Sequence, residues 1–366
     1  MSLKQKIEEY KYPALLIILW VCIQSILFSN SGIFINGEAE KYINGANEIV
    51  YYGRFPFHYI SYATYVLFLA GLFKIGFSYF GIYLVQLFLN IIATVAFFRI
   101  VKTITERIIT AYYATFIFIL FYHLQHWNTH LFTESFMVSM LIITWYGFLY
   151  FNLKKASGIA ALIILLILLL FSRPTAILFL PAMFVYWIIK NKQLLNGIKI
   201  TWILSAAISI VLLLFCFVLL DKRVLFSDLF ISFRNGEVIC STSYYQERFV
   251  ALNQEHAYLQ NLFIFCKVSA KKMCCFYGFI RPFYSKAHNM MLMAFYPVYP
   301  LAIIGLIKSK IQKEHLFMML TFILLINALL LITCDSWEGR FIVPALPFII
   351  VFAAIGLTRI TQKTSS

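Results

Sequence analysis

Apolar runs long enough to cross a bilayer as helices recur through most of this 366-residue chain, and no other feature restricts its folding as strongly. In hydrocarbon every backbone N–H and C=O must be satisfied within the protein, so a chain of such runs folds as a helical membrane bundle. The runs are Tyr12–Phe28, Phe80–Phe98, Ile108–Leu124, Phe132–Phe151, Ala156–Ser172, Thr175–Ile189, Ile200–Leu220, Met291–Ile307, Leu316–Thr333 and Phe341–Leu357. With 62% hydrophobic and only 12% charged residues, and a mean hydropathy of +0.84, the composition excludes a soluble globular enzyme. The expected fold is all-α, a polytopic membrane protein of about ten transmembrane helices, forming one membrane domain over residues 1–366.

One further run, Ile60–Phe77, is nearly as apolar, and its path decides the topology. Lys and Arg collect in short cytoplasmic loops. If Ile60–Phe77 lies in the outer interface, with Lys74 snorkelling, the inner segments hold Lys4, Lys6 and Lys11, Arg99, Lys102 and Arg107, Lys154 and Lys155, and Lys190, Lys192 and Lys199. The later inner segments add Lys308, Lys310 and Lys313, then Arg359 and Lys363. The short outer segments keep only Lys41, Arg54, Lys74, Arg173 and Arg340. Treating that run as a full span would throw most of the inner clusters outside. The reading is therefore ten spans with both termini cytoplasmic, a first outer loop over 31–79 that includes an interfacial helix, and a long outer loop over 221–290. In the long loop, Lys267, Lys271 and Lys272 recur between aromatic residues at helical spacing, which suits a second interfacial helix.

The net charge of +15 is then mainly orientation and attraction to anionic headgroups. The cations sit in separate short loops and form no continuous face, which argues against nucleic acid as a partner. The N-terminal run reads as an uncleaved signal-anchor, since no small-residue cleavage site precedes the polar stretch. Among the 7 cysteines no Cys-x-x-Cys pair occurs, so a structural zinc site has no support.

Ionisable residues that do not mark orientation gather at one face: Glu38, Glu40, Glu48, Arg54 and His58, then His123, His126, His130 and Glu134, then Arg173, and finally Asp335, Glu338 and Arg340. Such groups at span ends are costly unless used or paired, so their concentration points to a working site at the outer leaflet. Glu40 and Glu48 read as solvated or paired with Lys41 and Arg54. His123, His126 and His130 would share one helical face and could hold a metal with Glu134, though a hydrogen-bonded hairpin of histidines is the simpler reading. No cofactor is expected, and a divalent metal stays open.

In the stretch E38-A-E-K-Y42-I-N-G-A46, a helix would line up Glu38, Tyr42 and Ala46 at i, i+4 and i+8, with the small residue leaving room for a substrate under the carboxylate. This pattern, followed by Gly53 and "RFPFHYISY", resembles the first outer loop of membrane-embedded GT-C glycosyltransferases, and among them the dolichyl-phosphate-mannose protein mannosyltransferase and lipid A aminoarabinose transferase group. "FTESF", "SRPTAILFLP", "GFIRPFYSKAHN" and "WEGRFIVPALPFIIVFAAIGL" are similar to that group's later motifs, in the same order. Here Glu38 stands where the group usually has Asp, and Ala39 where a second acid often follows. These departures favour a simpler transferase over protein mannosylation.

A polyprenyl-phosphate sugar keeps its tail in lipid and its phosphate at headgroup depth, so a transferase needs a carboxylate and cations there. Glu38 is the expected general base, removing the proton from an acceptor hydroxyl or amine as it attacks the anomeric carbon, and Glu134 the second acid. Arg340, Arg173, Lys271 and Arg281 are the candidates to hold the departing phosphate. Tyr42, Arg54 and His58 are candidate substrate contacts. No Asp-x-Asp occurs, which favours a lipid-linked over a nucleotide-linked donor. The partners expected are a polyprenyl-phosphate-sugar donor, a glycan, lipid or protein acceptor, and membrane lipids, in a bacterial inner membrane with the active site on the outer face. The alternatives are a flippase or transporter of lipid-linked saccharides, or an outer-face polymerase or ligase. A transporter needs a site near the midplane reachable from both sides, whereas these ionisable groups crowd one face.

The topology is testable with single cysteines in a cysteine-free background, probed in intact cells with an impermeant thiol reagent. Positions near Asn44, Asn128 and Ser336 should label, and those near Thr103, Asn191 and Ser309 should not. Labelling near Thr103 but not near Asn128 would invert the orientation.

Overall fold

The structure is a computed structural model and describes residues 3–191, 277, 285–332 and 337–364. The Ile200–Leu220 run, Lys271, Arg281 and most of the 221–290 segment lie outside the described residues. Every described element is helical. The one β-type contact among these residues is an isolated parallel bridge between Phe34 and His130.

Helix α1 covers Leu3–Ser31 and α2 covers Glu38–Tyr52. Helix α2 starts where Glu40 Oε1 accepts from the Gly37 backbone N–H at 3.3 Å, and it stops at Gly53, whose φ of 65° suits a residue without Cβ. Pro56 then leads into a 3₁₀ turn, Phe57–Tyr62, and α3, Ala63–Lys74. At 12 residues α3 is about 18 Å long, well short of a hydrocarbon core of about 30 Å. Helix α4, Tyr79–Thr105, is N-capped by Ser78, whose Oγ accepts from the Gly81 N–H at 3.3 Å. It is followed by α5, Ile108–Leu120, and α6, Tyr122–Gln125. Next come α7, Thr133–Tyr150, α8, Ala156–Leu170, and α9, Phe179–Lys190.

Ala14–Ser31, Tyr79–Thr105 and Arg340–Gln362 are helices long and apolar enough to cross a membrane, and α5 with Tyr122–Thr129 makes a fourth bent by 63°. Ala156–Leu170, Pro174–Lys190 and Val298–Ile307 are shorter apolar helices. Several expected runs are thus broken. The Ile108–Leu124 run turns at Phe121, whose ψ of 100° leaves the helical region without a Gly or Pro to announce it. In the Met291–Ile307 run the helix Lys286–Met293 ends before a turn, and Val298–Ile307 starts after Pro297.

Packing divides the chain into two compact units, Met1–Ile177 with Phe295–Gln312 and Leu346–Ser366, and Leu178–Ala294 with Lys313–Ala345. In the first, α4 packs on α5 and α7, with Phe97 on Phe118 at 5.0 Å between ring centres. Phe28 of α1 stacks on Tyr83 of α4 at 5.2 Å, and α2 lies on α3. In the second, α9 packs on the Lys313–Ile332 helix, with Phe179 edge-on to Phe322 at 5.7 Å.

The tightest helix contact joins Val298–Ile307 to Leu346–Thr364 in the first unit. Lipid gives no hydrophobic drive between helices, so close backbone approach through small residues supplies the packing. A Cβ on Gly305 would stand 1.7 Å from the Phe352 carbonyl oxygen, and one on Gly356 would stand 2.1 Å from that of Leu301. Gly305→Leu should therefore lower the thermal unfolding temperature, at a cost of about 1–3 kcal/mol or more. Gly71→Ala, in α3 with nothing near its missing Cβ, should not. Equal effects of the two changes in a thermal melt would contradict this packing.

Candidate functional site

Three connections of the first unit converge, and polar groups in otherwise apolar helices hold them. The bridge from residue 34 to the 121–133 hairpin is made by the Phe34 N–H donating to the Thr129 carbonyl at 2.9 Å and the Leu131 N–H donating to the Phe34 carbonyl at 3.1 Å. Below it, Gln24 of α1 donates to Gln125 Oε1 at 2.7 Å, and Asn128 donates to both Gln24 and Gln125. All three side chains are buried, where an unpaired amide would be costly. The third connection is tied in by the Thr64 N–H of α3, which donates to the Phe171 carbonyl at 3.0 Å. Gln24 and Gln125 were not foreseen as part of the site, although amides inside apolar runs were the signal.

These ties bring Glu38, Tyr42, Thr133, Glu134 and Arg173 together. Glu134 opens α7 and is wholly buried, and its Oε1 pairs with Nη1 of the buried Arg173, three residues past the end of α8. Thr133 Oγ1 lies 3.4 Å from Glu134 Oε2 and 3.5 Å from Arg173 Nη1. On α2, Tyr42 donates its hydroxyl to Glu38 Oε1 at 3.0 Å, and Lys41 pairs with the same oxygen. Tyr42 also lies within electrostatic reach of Thr133 and Arg173, so the two acids share one polar cluster. Lys41 lies over the rings of Tyr42 and Tyr62, at 4.9 and 5.2 Å from their centres.

Burial and the neighbouring Tyr62 hold the Tyr42 hydroxyl far above its ordinary titration range, so it stays a donor to the Glu38 carboxylate. Burial lowers the Arg173 value, an effect offset in part by Tyr42 and Tyr62. The pair as a whole is shielded from water, whereas the Glu38 side chain keeps 27% of its surface accessible.

The remaining residues fall as follows. Arg54 and His58 are exposed, His58 against the Tyr59 ring at 4.1 Å. Lys41 pairs with Glu38 rather than Glu40, because i and i+3 share a helix face, while Glu40 closes the helix start. Ala46 is fully buried on the face of α2 that packs on α3, so the room expected beneath Glu38 is filled. Arg340 is buried in the second unit, at the 3₁₀ turn Trp337–Ala345. Lys271 and Arg281 lie outside the described residues.

The three histidines do not share one helix face, since α6 gives way to a 3₁₀ turn at His126–Thr129. His130 sits among Phe34, His126, Trp127 and Phe132, with its Nδ1 3.1 Å from Thr129 Oγ1. Desolvation lowers its pKa to about 4, so it is neutral at neutral pH. Among the described residues no group of three His, Cys, Asp or Glu is arranged to hold a metal ion. Tyr65 donates to Gln86 Oε1 at 2.7 Å and Gln86 to the His130 carbonyl at 3.2 Å, so α3 and α4 brace the hairpin from behind.

The sequence profile of the Alg9-like mannosyltransferase family matches residues 10–366. Neither a curated protein nor a solved structure matches the chain. The profile belongs to the GT-C type that the loop motifs resemble, and the match does not extend to the protein mannosyltransferase and aminoarabinose transferase group. Covering nearly the whole chain, it shows that the protein belongs to the Alg9-like mannosyltransferase family and is a membrane glycosyltransferase.

Proposed function

We propose that this protein transfers a sugar from a polyprenyl-phosphate-linked donor to an acceptor at the outer face of the membrane, with Glu38 as general base. The observation that carries the assignment is the contrast between two linked acids. Glu38 is accessible at the start of α2, and Glu134 is enclosed with Arg173. A general base must come within hydrogen-bond reach of the proton it removes; both acids are ion-paired, and only Glu38, on Lys41, keeps accessible surface from which to do so.

In this reading the acceptor hydroxyl or amine gives its proton to Glu38 as its oxygen or nitrogen bonds to the anomeric carbon. The bond from that carbon to the phosphate oxygen breaks, and the lipid phosphate leaves with the electron pair. Tyr42 and Lys41 orient the carboxylate that receives the proton. Glu134 and Arg173 fix the loops that carry this arrangement, which makes Glu134 a positioning acid. Arg340, Lys271 and Arg281 are the proposed partners of the departing phosphate, where a guanidinium fork can make paired hydrogen bonds. Mannose, the sugar in the family's name, is the first donor sugar to test. The acceptor is a glycan, a lipid or a protein. The long apolar helices support a lipid-anchored donor, because its prenyl chain can stay in hydrocarbon while the phosphate meets the loops.

The test is sugar transfer from polyprenyl-phosphate-mannose by purified variants matched for thermal stability. Glu38→Gln keeps the shape and removes the base, and should cost about 10²–10⁴-fold in turnover. Glu38→Asp should retain part of the activity, and Glu40→Gln should stay near wild type. Near-normal turnover in Glu38→Gln would remove the base assignment and direct attention to Glu134.

A further inference from the structure

At the far end of α4 and α5 from the candidate site, the first unit has a groove bordered by Arg107, Lys310 and Arg359, with Ile311 and Ile355 among its apolar lining. The cations come from three separate segments: the α4–α5 junction, the link after Val298–Ile307, and the Leu346–Thr364 helix. No Asp or Glu lines the groove, and none of the three cations makes an ion pair with a described residue. Arg107 Nη1 donates to Gln362 Oε1 at 2.7 Å, which sets the guanidinium plane and leaves its other donors for a ligand. Thr110 and Thr358 hydrogen-bond each other at 3.1 Å behind the cations, tying two of the three segments together.

The position of the groove says which chemistry it fits. Gln86 of α4 reaches the candidate site and Thr105 of the same helix lines the groove. At 1.5 Å per residue these positions are about 28 Å apart, close to one hydrocarbon thickness. The groove therefore belongs to the opposite membrane surface. Next to it Ile108, Ile109 and Ile360 are exposed at 40%, 49% and 41%, so apolar surface continues from the cations toward the bilayer. We infer that this groove binds the phosphate headgroup of an anionic phospholipid, with Arg107, Lys310 and Arg359 around the phosphate and the isoleucines against its acyl chains. A soluble phosphate would satisfy the same cations and leave the apolar border without a role. The inference does not depend on the assignment of Glu38.

The test uses the full chain in detergent, with phosphatidylglycerol or phosphatidylcholine added in mixed micelles. Retained lipid is counted by native mass spectrometry and stability is followed by thermal unfolding. Phosphatidylglycerol should be retained and should raise the unfolding temperature, and phosphatidylcholine should not. Each lost charge-assisted contact should weaken binding on the order of tenfold, so the variant carrying Arg107→Gln, Lys310→Gln and Arg359→Gln should lose both effects. Lys310 is exposed and its replacement does not threaten folding, so Lys310→Glu alone should reduce retention even if the triple variant does not fold. The Lys154→Gln, Lys155→Gln control should bind as wild type. The inference is overturned if Lys310→Glu retains phosphatidylglycerol normally or if the control loses as much. Equal protection by inorganic phosphate would overturn the lipid as its source.

Discussion

A carboxylate and a guanidinium held out of water, Glu134 on Arg173, tie the start of α7 to the end of α8, and the rest of the candidate site depends on them. Burying either charge alone would cost several kcal/mol, so the pair persists only as a pair. Removing one partner of such a bridge typically costs about 3–5 kcal/mol. That requirement fixes the two connections against each other. Thr133 next to the pair lies near Tyr42, and Tyr42 donates to Glu38 on α2, which packs on α3.

The result is a division between two acids of the same type. Glu134 gives up reach for rigidity, and Glu38 gives up burial for reach. The amide network of Gln24, Gln125 and Asn128 serves the same end on the other side of the hairpin, since amides inside an apolar bundle hold only when each donor meets an acceptor. The aromatic packing around His130 closes the hairpin and keeps that histidine neutral. In the proposed reading, in which the donor is lipid-linked, loops held in place at the end of a helical bundle would position the chemistry at the depth of the lipid phosphate.

Much of this was legible in the sequence, for physical reasons that can be named. Glu38 and Tyr42, four residues apart, had to meet if residues 38–52 are helical, and they do at 3.0 Å. Glu134 and Arg173 each stood out as a charge at the end of an apolar run, but no periodicity connects residues 39 positions apart, so their pairing was not legible. The bend at Phe121 was hidden because tertiary contacts, rather than a Gly or Pro, end α5 there. Ala46 looked like open space because a one-dimensional pattern cannot show that α3 covers that face of α2. The choice of Lys41 between Glu38 and Glu40 depended on the cap that Glu40 makes with Gly37.

If Tyr42 acts on catalysis only by orienting the Glu38 carboxylate, the two residues must be coupled, and a double-mutant cycle on kcat/KM for sugar transfer measures that coupling directly. Tyr42→Phe removes one hydrogen bond to a charged group, a loss of about 1.5–3 kcal/mol, and should slow the wild-type enzyme by about tenfold or more. In the Glu38→Gln background the same change should cost almost nothing, because the carboxylate it serves is gone. Equal losses in both backgrounds would mean that Tyr42 and Glu38 act independently and that Tyr42 does not orient the carboxylate.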